Sequence, residues 1–172
     1  MPDLPPDELA KELERLHLAA FGWALHCCSG DRAAAEDALQ TSYLKVLDGR
    51  ARFDGRAAFK TWLFGVVRRT AAEERRRAAV WRLFSLTRMP PGADADGRPD
   101  PGTAAASDDE TARLRGALSG LPGRQREVLH LVFYQDLTIA EAADVLGISL
   151  GTARTHYERG KAALRRLIVE DA

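Results

Sequence analysis

The chain has 172 residues, 45% of them apolar and 29% charged, with as many basic as acidic groups. Such a composition supports one large or two small cores, which excludes a disordered chain, and no run approaches the roughly 20 apolar residues of a membrane helix. The opening MPDLPPDELAKEL is acidic and proline-rich, unlike a signal peptide, and the adjacent Cys27 and Cys28 cannot staple a fold. A reducing, cytoplasmic setting without membrane insertion is therefore expected. The neutral total hides segregation: residues 1–48 carry 4 basic and 9 acidic groups, 49–88 carry 11 and 3, 89–110 carry 1 and 6, and 111–172 carry 9 and 7. A strongly basic middle between acidic stretches favours local phosphate contact, yet gives the whole chain little long-range attraction to DNA.

In chain order, Leu9, Leu13, Leu16, Ala20 and Trp23 recur at helical spacing, and Gly30 ends that helix. Asp31 can cap a second helix, whose Ala35, Ala38, Leu39, Ser42, Val46 and Leu47 form a core stripe while Glu36, Asp37, Gln40 and Lys45 lie off it. A loop over 48–56 holds two glycines and Phe53. A third helix from about Ala57 places Phe59, Trp62, Leu63, Val66 and Thr70 on one side, then runs into Arg68, Arg69, Arg75, Arg76 and Arg77. These elements predict a three-helix module over 6–85.

Residues 86–108 follow, with Pro90, Pro91, Pro99 and Pro101, three glycines and scarcely a large apolar side chain. Such a stretch buries too little surface to offset its ordering entropy, so a flexible acidic linker is expected. A second module over 109–169 is expected to hold four helices: one near Asp109 to Leu118, one started by Leu121-Pro122 and running through Leu129 and Phe133, and then a helix-turn-helix.

That last motif is the most specific. Thr138 and Glu141 have the spacing of a capping box, and Ile139, Ala142, Ala143 and Leu146 fall on one face. Gly147 can stop the helix and Ser149 can cap the next. A three-residue turn, Gly147-Ile148-Ser149, sets two helices at a steep angle, so that the second can enter a major groove. On it Ala153, Tyr157, Gly160 and Leu164 face inward, while Arg154, Thr155, Glu158, Arg159, Lys161 and Arg165 face outward. Arginine presents a planar fork to guanine edges and phosphates, and Glu158 can accept from a cytosine amino group. An amphipathic hairpin with merely solvated arginines is the plainer alternative.

The whole is thus predicted to be all-α, two small helical domains on a flexible tether. The run Ala35-Glu36-Asp37-Ala38-Leu39-Gln40, then Phe53, then Phe59-Lys60-Thr61-Trp62-Leu63, resembles region 2 of the bacterial extracytoplasmic-function (ECF) sigma factors. Leu121-Pro122, Gln125-Arg126-Glu127-Val128 and the helix at Gly151-Thr152 resemble region 4 of the same family. The resemblance spans about Leu13 to Leu167 in the family's order.

It implies a subunit that binds core RNA polymerase and directs it to promoter DNA. By position, Glu36, Asp37, Gln40 and Tyr43 would lie toward the polymerase clamp. Phe53, Arg56, Lys60, Thr61, Arg68 and Arg69 would capture the melted −10 strand; an unpaired base held on a cationic, aromatic-bearing surface favours the open duplex. Core packing is the stronger reading for Phe59 and Trp62, whereas Phe53 is open. Thr152, Arg154, Thr155, Glu158, Arg159 and Lys161 would read the −35 element. The resemblance also implies control by an anti-sigma factor and a chain that is monomeric when free. The chain departs from the family in two places: Arg69 stands where asparagine is common, and in region 4 His156 stands where a basic residue usually follows Thr155, with Tyr157-Glu158 in place of a more apolar pair.

No glycine-rich phosphate loop, nucleophile elbow or converging carboxylate pair is legible, and His26-Cys27-Cys28 has no second ligand pair, so no enzyme, cofactor or metal is expected. Buried, inert packing is the expected role of Cys27. Two other functions remain to be separated from the sigma reading. A sigma-like decoy that never engages polymerase would lose the cationic recognition helix, and a dimeric helix-turn-helix regulator would leave the region 2 run unexplained.

Overall fold

The computed structural model describes residues 4–86 and 116–170. Among these residues the chain is helix and connecting loop, with no strand. The expected linker beyond residue 86, and all of the expected Asp109–Leu118 helix except the helical residues 116–118, lie outside the described part.

Helix α1, Pro6–Cys27, starts with proline at its first turn beside Asp7 and Glu8, a combination that suits the unpaired N–H groups and positive end of a helix. It buries Leu13, Leu16, Ala20, Trp23, Ala24 and Cys27. Trp23 is fully enclosed, so its removal would cost about 3–5 kcal/mol. The chain leaves the helix through Ser29 (φ +57°) and Gly30 (φ +86°). Asp31 then caps α2, Arg32–Leu47, accepting from the Ala34 N–H at 3.0 Å as its spacing predicted.

Helix α2 packs on α1 through Ala35, Ala38, Leu39 and Val46. Small side chains at two of these positions let the helices approach. Ser42 belongs to this stripe because its buried hydroxyl donates to the Ala38 carbonyl at 2.7 Å. Leu47 corrects the expected stripe: it is 59% exposed. Its neighbour Val46 takes the inward position at the last turn, and Leu47 is rotated about 100° from it.

Helix α3, Phe59–Leu86, is buried nearly all round in its first half, where Thr61, Leu63, Phe64, Val66, Val67, Thr70 and Ala71 are each 3% exposed or less. Its second half is exposed from Arg75 to Phe84. The molecule divides into two units: the described parts of Pro2–Phe53 and Val66–Gly102 form one, and those of Asp54–Gly65 and Thr103–Ala172 the other. The first turns of α3 thus group with the C-terminal residues, whereas the sequence placed all of 6–85 together.

Within the C-terminal residues, α4 (Gly123–Phe133), α5 (Ile139–Leu146) and α6 (Leu150–Glu170) pack against one another. Their core is Val128, Leu129, Leu131, Leu137, Ala142, Ala143, Val145, Leu146 and Ala153. Pro122 precedes α4 and starts it, as expected from Leu121-Pro122.

Candidate nucleic-acid interface

The helix-turn-helix is built by three local devices. Thr138 Oγ1 accepts from the Glu141 N–H at 3.2 Å while the Glu141 carboxylate accepts from the Thr138 N–H at 2.8 Å, a reciprocal capping box that starts α5. The Thr138 backbone and hydroxyl together hold the Glu141 carboxyl below its ordinary range. Gly147 closes the helix in the left-handed conformation (φ +64°), where a Cβ would be strained. Ser149 Oγ accepts from the Thr152 N–H at 3.1 Å and starts α6.

These caps fix the rotation of α6. Ala153 and Gly160 point into the core, and Arg154, Thr155, Glu158 and Arg159 are exposed. Thr152 is exposed as well, but its hydroxyl lies 2.8 Å from Ser149 Oγ and is engaged in the cap. Thr155 donates its hydroxyl to the Gly151 carbonyl at 3.0 Å. Lys161 is drawn off that face: its side chain is 29% exposed, with Nζ 4.8 Å from the centre of the Tyr157 ring and 3.9 Å from Glu158 Oε1. Tyr157 in turn stacks on Phe133, ring centres 5.9 Å apart. His156 sits at the edge of the core with Nδ1 buried and without a hydrogen-bond partner among the described residues. It is therefore not placed as the outward cation that its position would suggest.

The residues of the expected strand-capturing set differ in their immediate surroundings. Phe53 is half-buried in the loop before α3, and Arg56 is exposed with Nε 3.2 Å from Asp54 Oδ2. Lys60 lies over the Phe64 ring at 5.6 Å and donates to the Gln135 backbone carbonyl. Arg68 is half-buried and Arg69 exposed. Thr61 corrects the expectation: it is 2% exposed, and its Oγ1 has no hydrogen-bond partner among the described residues. The reason is that α3 is enclosed on almost every side at this depth, so a position beside the outward Lys60 is already core.

On α2, Glu36, Asp37 and Gln40 are all exposed, with Glu36 paired to Arg32 at 3.0 Å. Tyr43 is different. It is half-buried, its hydroxyl lies 3.3 Å from His17 Nδ1, and burial pushes its pKa up to about 12. It ties α2 to α1 rather than standing clear of them. Leu44 and Leu47, each 59% exposed, continue the Gln40 side of the helix. The sequence reading put Leu47 in the core stripe and did not single out Leu44; their i+4 and i+7 spacing from Gln40 was the available signal.

Cys27 and Cys28 are buried and form no disulfide, and burial pushes the Cys28 thiol up, away from reactivity. Among the described residues no group of three or more His, Cys, Asp or Glu is placed to hold a metal ion, and no helix is long and apolar enough to cross a membrane.

Comparison with known proteins sets these surfaces in a wider frame. A family model described as sigma-70 region 2 matches residues 13–80, and one described as sigma-70 region 4 matches residues 117–166. The chain is 32% identical over 141 residues to the ECF RNA polymerase sigma factor SigF of Caulobacter vibrioides, covering 79% of this chain and 72% of that protein. It is 28% identical over 142 residues to the probable RNA polymerase sigma-C factor of Mycobacterium bovis, covering 83% and 74%. In fold it is similar to the sigma factor RpoE solved with the anti-sigma factor NepR from Bartonella quintana, at a TM-score of 0.70, 22% identity, and coverage of 96% of this chain and 99% of that one.

Proposed function

The chain belongs to the extracytoplasmic-function RNA polymerase sigma factors, and from that premise we propose that it binds core RNA polymerase and selects promoters through two DNA contacts. Sigma factors are DNA-binding regulators of transcription rather than catalysts; the bond-making chemistry belongs to the polymerase. In this reading residues 6–85 act as region 2 and residues 109–169 as region 4.

The observation that carries the reading is the rotation of α6, whose capped start turns Arg154, Thr155, Glu158 and Arg159 outward while Ala153 and Gly160 anchor it. Those four side chains read the −35 element in the major groove; Thr152 positions the helix start, and Lys161 makes at most a flanking phosphate contact. The −10 strand is held by Phe53, Arg56, Lys60, Arg68 and Arg69, with Lys60 first exchanging its bond to the Gln135 carbonyl for a phosphate. Glu36, Asp37 and Gln40 meet the polymerase clamp, and Tyr43 supports them from behind. An anti-sigma factor, like the one bound to the RpoE relative, would control the chain by covering these surfaces.

Run-off transcription with core polymerase tests the proposal. Promoter-dependent product is expected only when the chain is present; its absence on a set of genomic promoters overturns the reading in favour of a decoy or an ordinary regulator. Asp37→Lys with Gln40→Lys is expected to abolish retention by core polymerase while leaving the helical circular dichroism unchanged. Retention of the double variant removes the clamp assignment.

A further inference from the structure

We propose that the exposed C-terminal end of α3 is an additional single-stranded DNA surface, on which an unpaired base stacks against Trp81 while Arg76 and Arg77 hold the flanking phosphates. The proposal rests on the reading of the chain as a sigma factor and extends its DNA surface beyond Arg69.

Trp81 is 75% exposed and Val80 49% exposed. Tryptophan is among the more buried side chains on average, so an indole standing out from a helix calls for a ligand with a flat apolar face. Arg77 precedes Trp81, and Arg76 precedes Val80, by one helical turn, which puts each arginine on the same side as the apolar group it precedes. Arg75 and Arg82, seven residues apart, share the opposite side. All four arginines are exposed. Arg77 lies 3.6 Å from Glu74, and no acidic residue follows in the sequence until Asp94.

Charge complementarity decides between kinds of partner. A protein docking here would have to bring a carboxylate for each guanidinium it desolvates, whereas a DNA strand brings a phosphate with every nucleotide and a π face at every base. The surface is also continuous with Arg69, since α3 rises about 1.5 Å per residue and Trp81 lies about 18 Å further along the same helix. A duplex offers no base face to an indole, so the occupant is an unpaired strand.

The test uses the full chain, a mixed-sequence single-stranded oligodeoxynucleotide and its duplex form. Trp23 is enclosed and Trp62 half-buried, so stacking at Trp81 is expected to dominate any quenching of tryptophan emission, and Trp81→Phe should remove most of it. Trp81→Ala is expected to weaken single-strand binding about 5- to 160-fold, the range that base–aromatic stacking supplies. Replacing Arg76 and Arg77 together by Gln should lower the slope of log Kd against log salt by about 1.4. Single-strand affinity and quenching unchanged in Trp81→Ala overturn the proposal. So does weaker retention of Trp81→Ala by core polymerase without DNA, which would make this a protein-docking face. Run-off transcription by the wild-type chain judges the sigma reading separately: product with unaltered Trp81→Ala binding sinks this inference alone, whereas no product sinks the sigma reading, whatever the oligonucleotide does.

Discussion

Gly160 of α6 lies so close to Leu129 of α4 that a Cβ on the glycine would meet Leu129 Cδ1 at 3.0 Å and Cγ at 3.2 Å, with Gln125 Cβ at 3.3 Å. Both residues are buried, so the glycine sets how tightly the recognition helix seats on its support. Gly160→Ala recovers helix propensity worth about 1 kcal/mol, which offsets part of the crowding. Gly160→Val has no such margin and is expected to cost about 1–3 kcal/mol through overpacking. Thermal unfolding of the two variants should rank Val well below Ala. Equal midpoints would mean that Leu129 moves freely and that the close approach has no energetic weight.

A second link joins α2 to α3. Lys45 Nζ donates to Glu73 Oε2 at 2.6 Å and to Thr70 Oγ1 at 3.2 Å. The hydrogen bond from Lys45, with its charge and those of Arg77 and Arg76, holds the Glu73 carboxyl below its ordinary range. A carboxyl whose folded pKa is depressed stabilises the fold above its unfolded pKa, and that contribution fades as pH falls through the folded value. Glu73→Gln is therefore expected to lower stability at neutral pH by no more than about 1 kcal/mol, a figure already reduced for the 40% exposure of Glu73. Denaturant melts at neutral and acidic pH check this: the gap between variant and wild type should close in acid. A gap that widens would mean that Lys45 is anchored by something else.

What the sequence made legible follows from how local each cause is. The Asp31 cap, the Thr138–Glu141 box, Gly147 and the Ser149 cap were readable because each involves residues within a few positions of one another. Their sum fixed the outward face of α6. Leu47 was misplaced because a one-sided stripe was carried to the end of α2, and Thr61 was given to the strand-capturing set by the family resemblance alone, which carries no information on how α3 is covered in this chain. Along Thr61–Val67 α3 is covered on most sides, while the end of α2 lies open. The Lys60 bond to Gln135 and the Lys45 bond to Glu73 span 75 and 28 positions; no spacing rule reaches that far. Trp62 and Phe53 are both half-buried.

Thr61 provides a direct check of one such correction. Its hydroxyl is enclosed with no hydrogen-bond partner among the described residues, a placement that costs free energy and makes the methyl isostere the better fit. Thr61→Val is expected to leave stability unchanged or raise it by up to about 1 kcal/mol, and to leave −10 strand binding intact. Loss of strand affinity at unchanged melting temperature would return Thr61 to the DNA surface.

The proposed −35 contact centres on Arg154, exposed on the first turns of α6 and one residue from the buried Ala153 that fixes its direction. A guanidinium there can grip a guanine edge with two parallel bonds or pair with a phosphate, and the two outcomes differ in how sequence enters. Edge recognition is the expected one, because Arg154 stands near the start of α6, and the first residues of a helix docked in a major groove are those that meet base edges. Arg154→Ala should weaken promoter binding by about 1–3 kcal/mol and relax preference at a single base pair. Binding measured against a panel of promoters varied one position at a time decides the matter. A uniform loss across the panel, with a salt slope reduced by about 1, would assign Arg154 to a phosphate and pass base reading to Thr155 and Glu158.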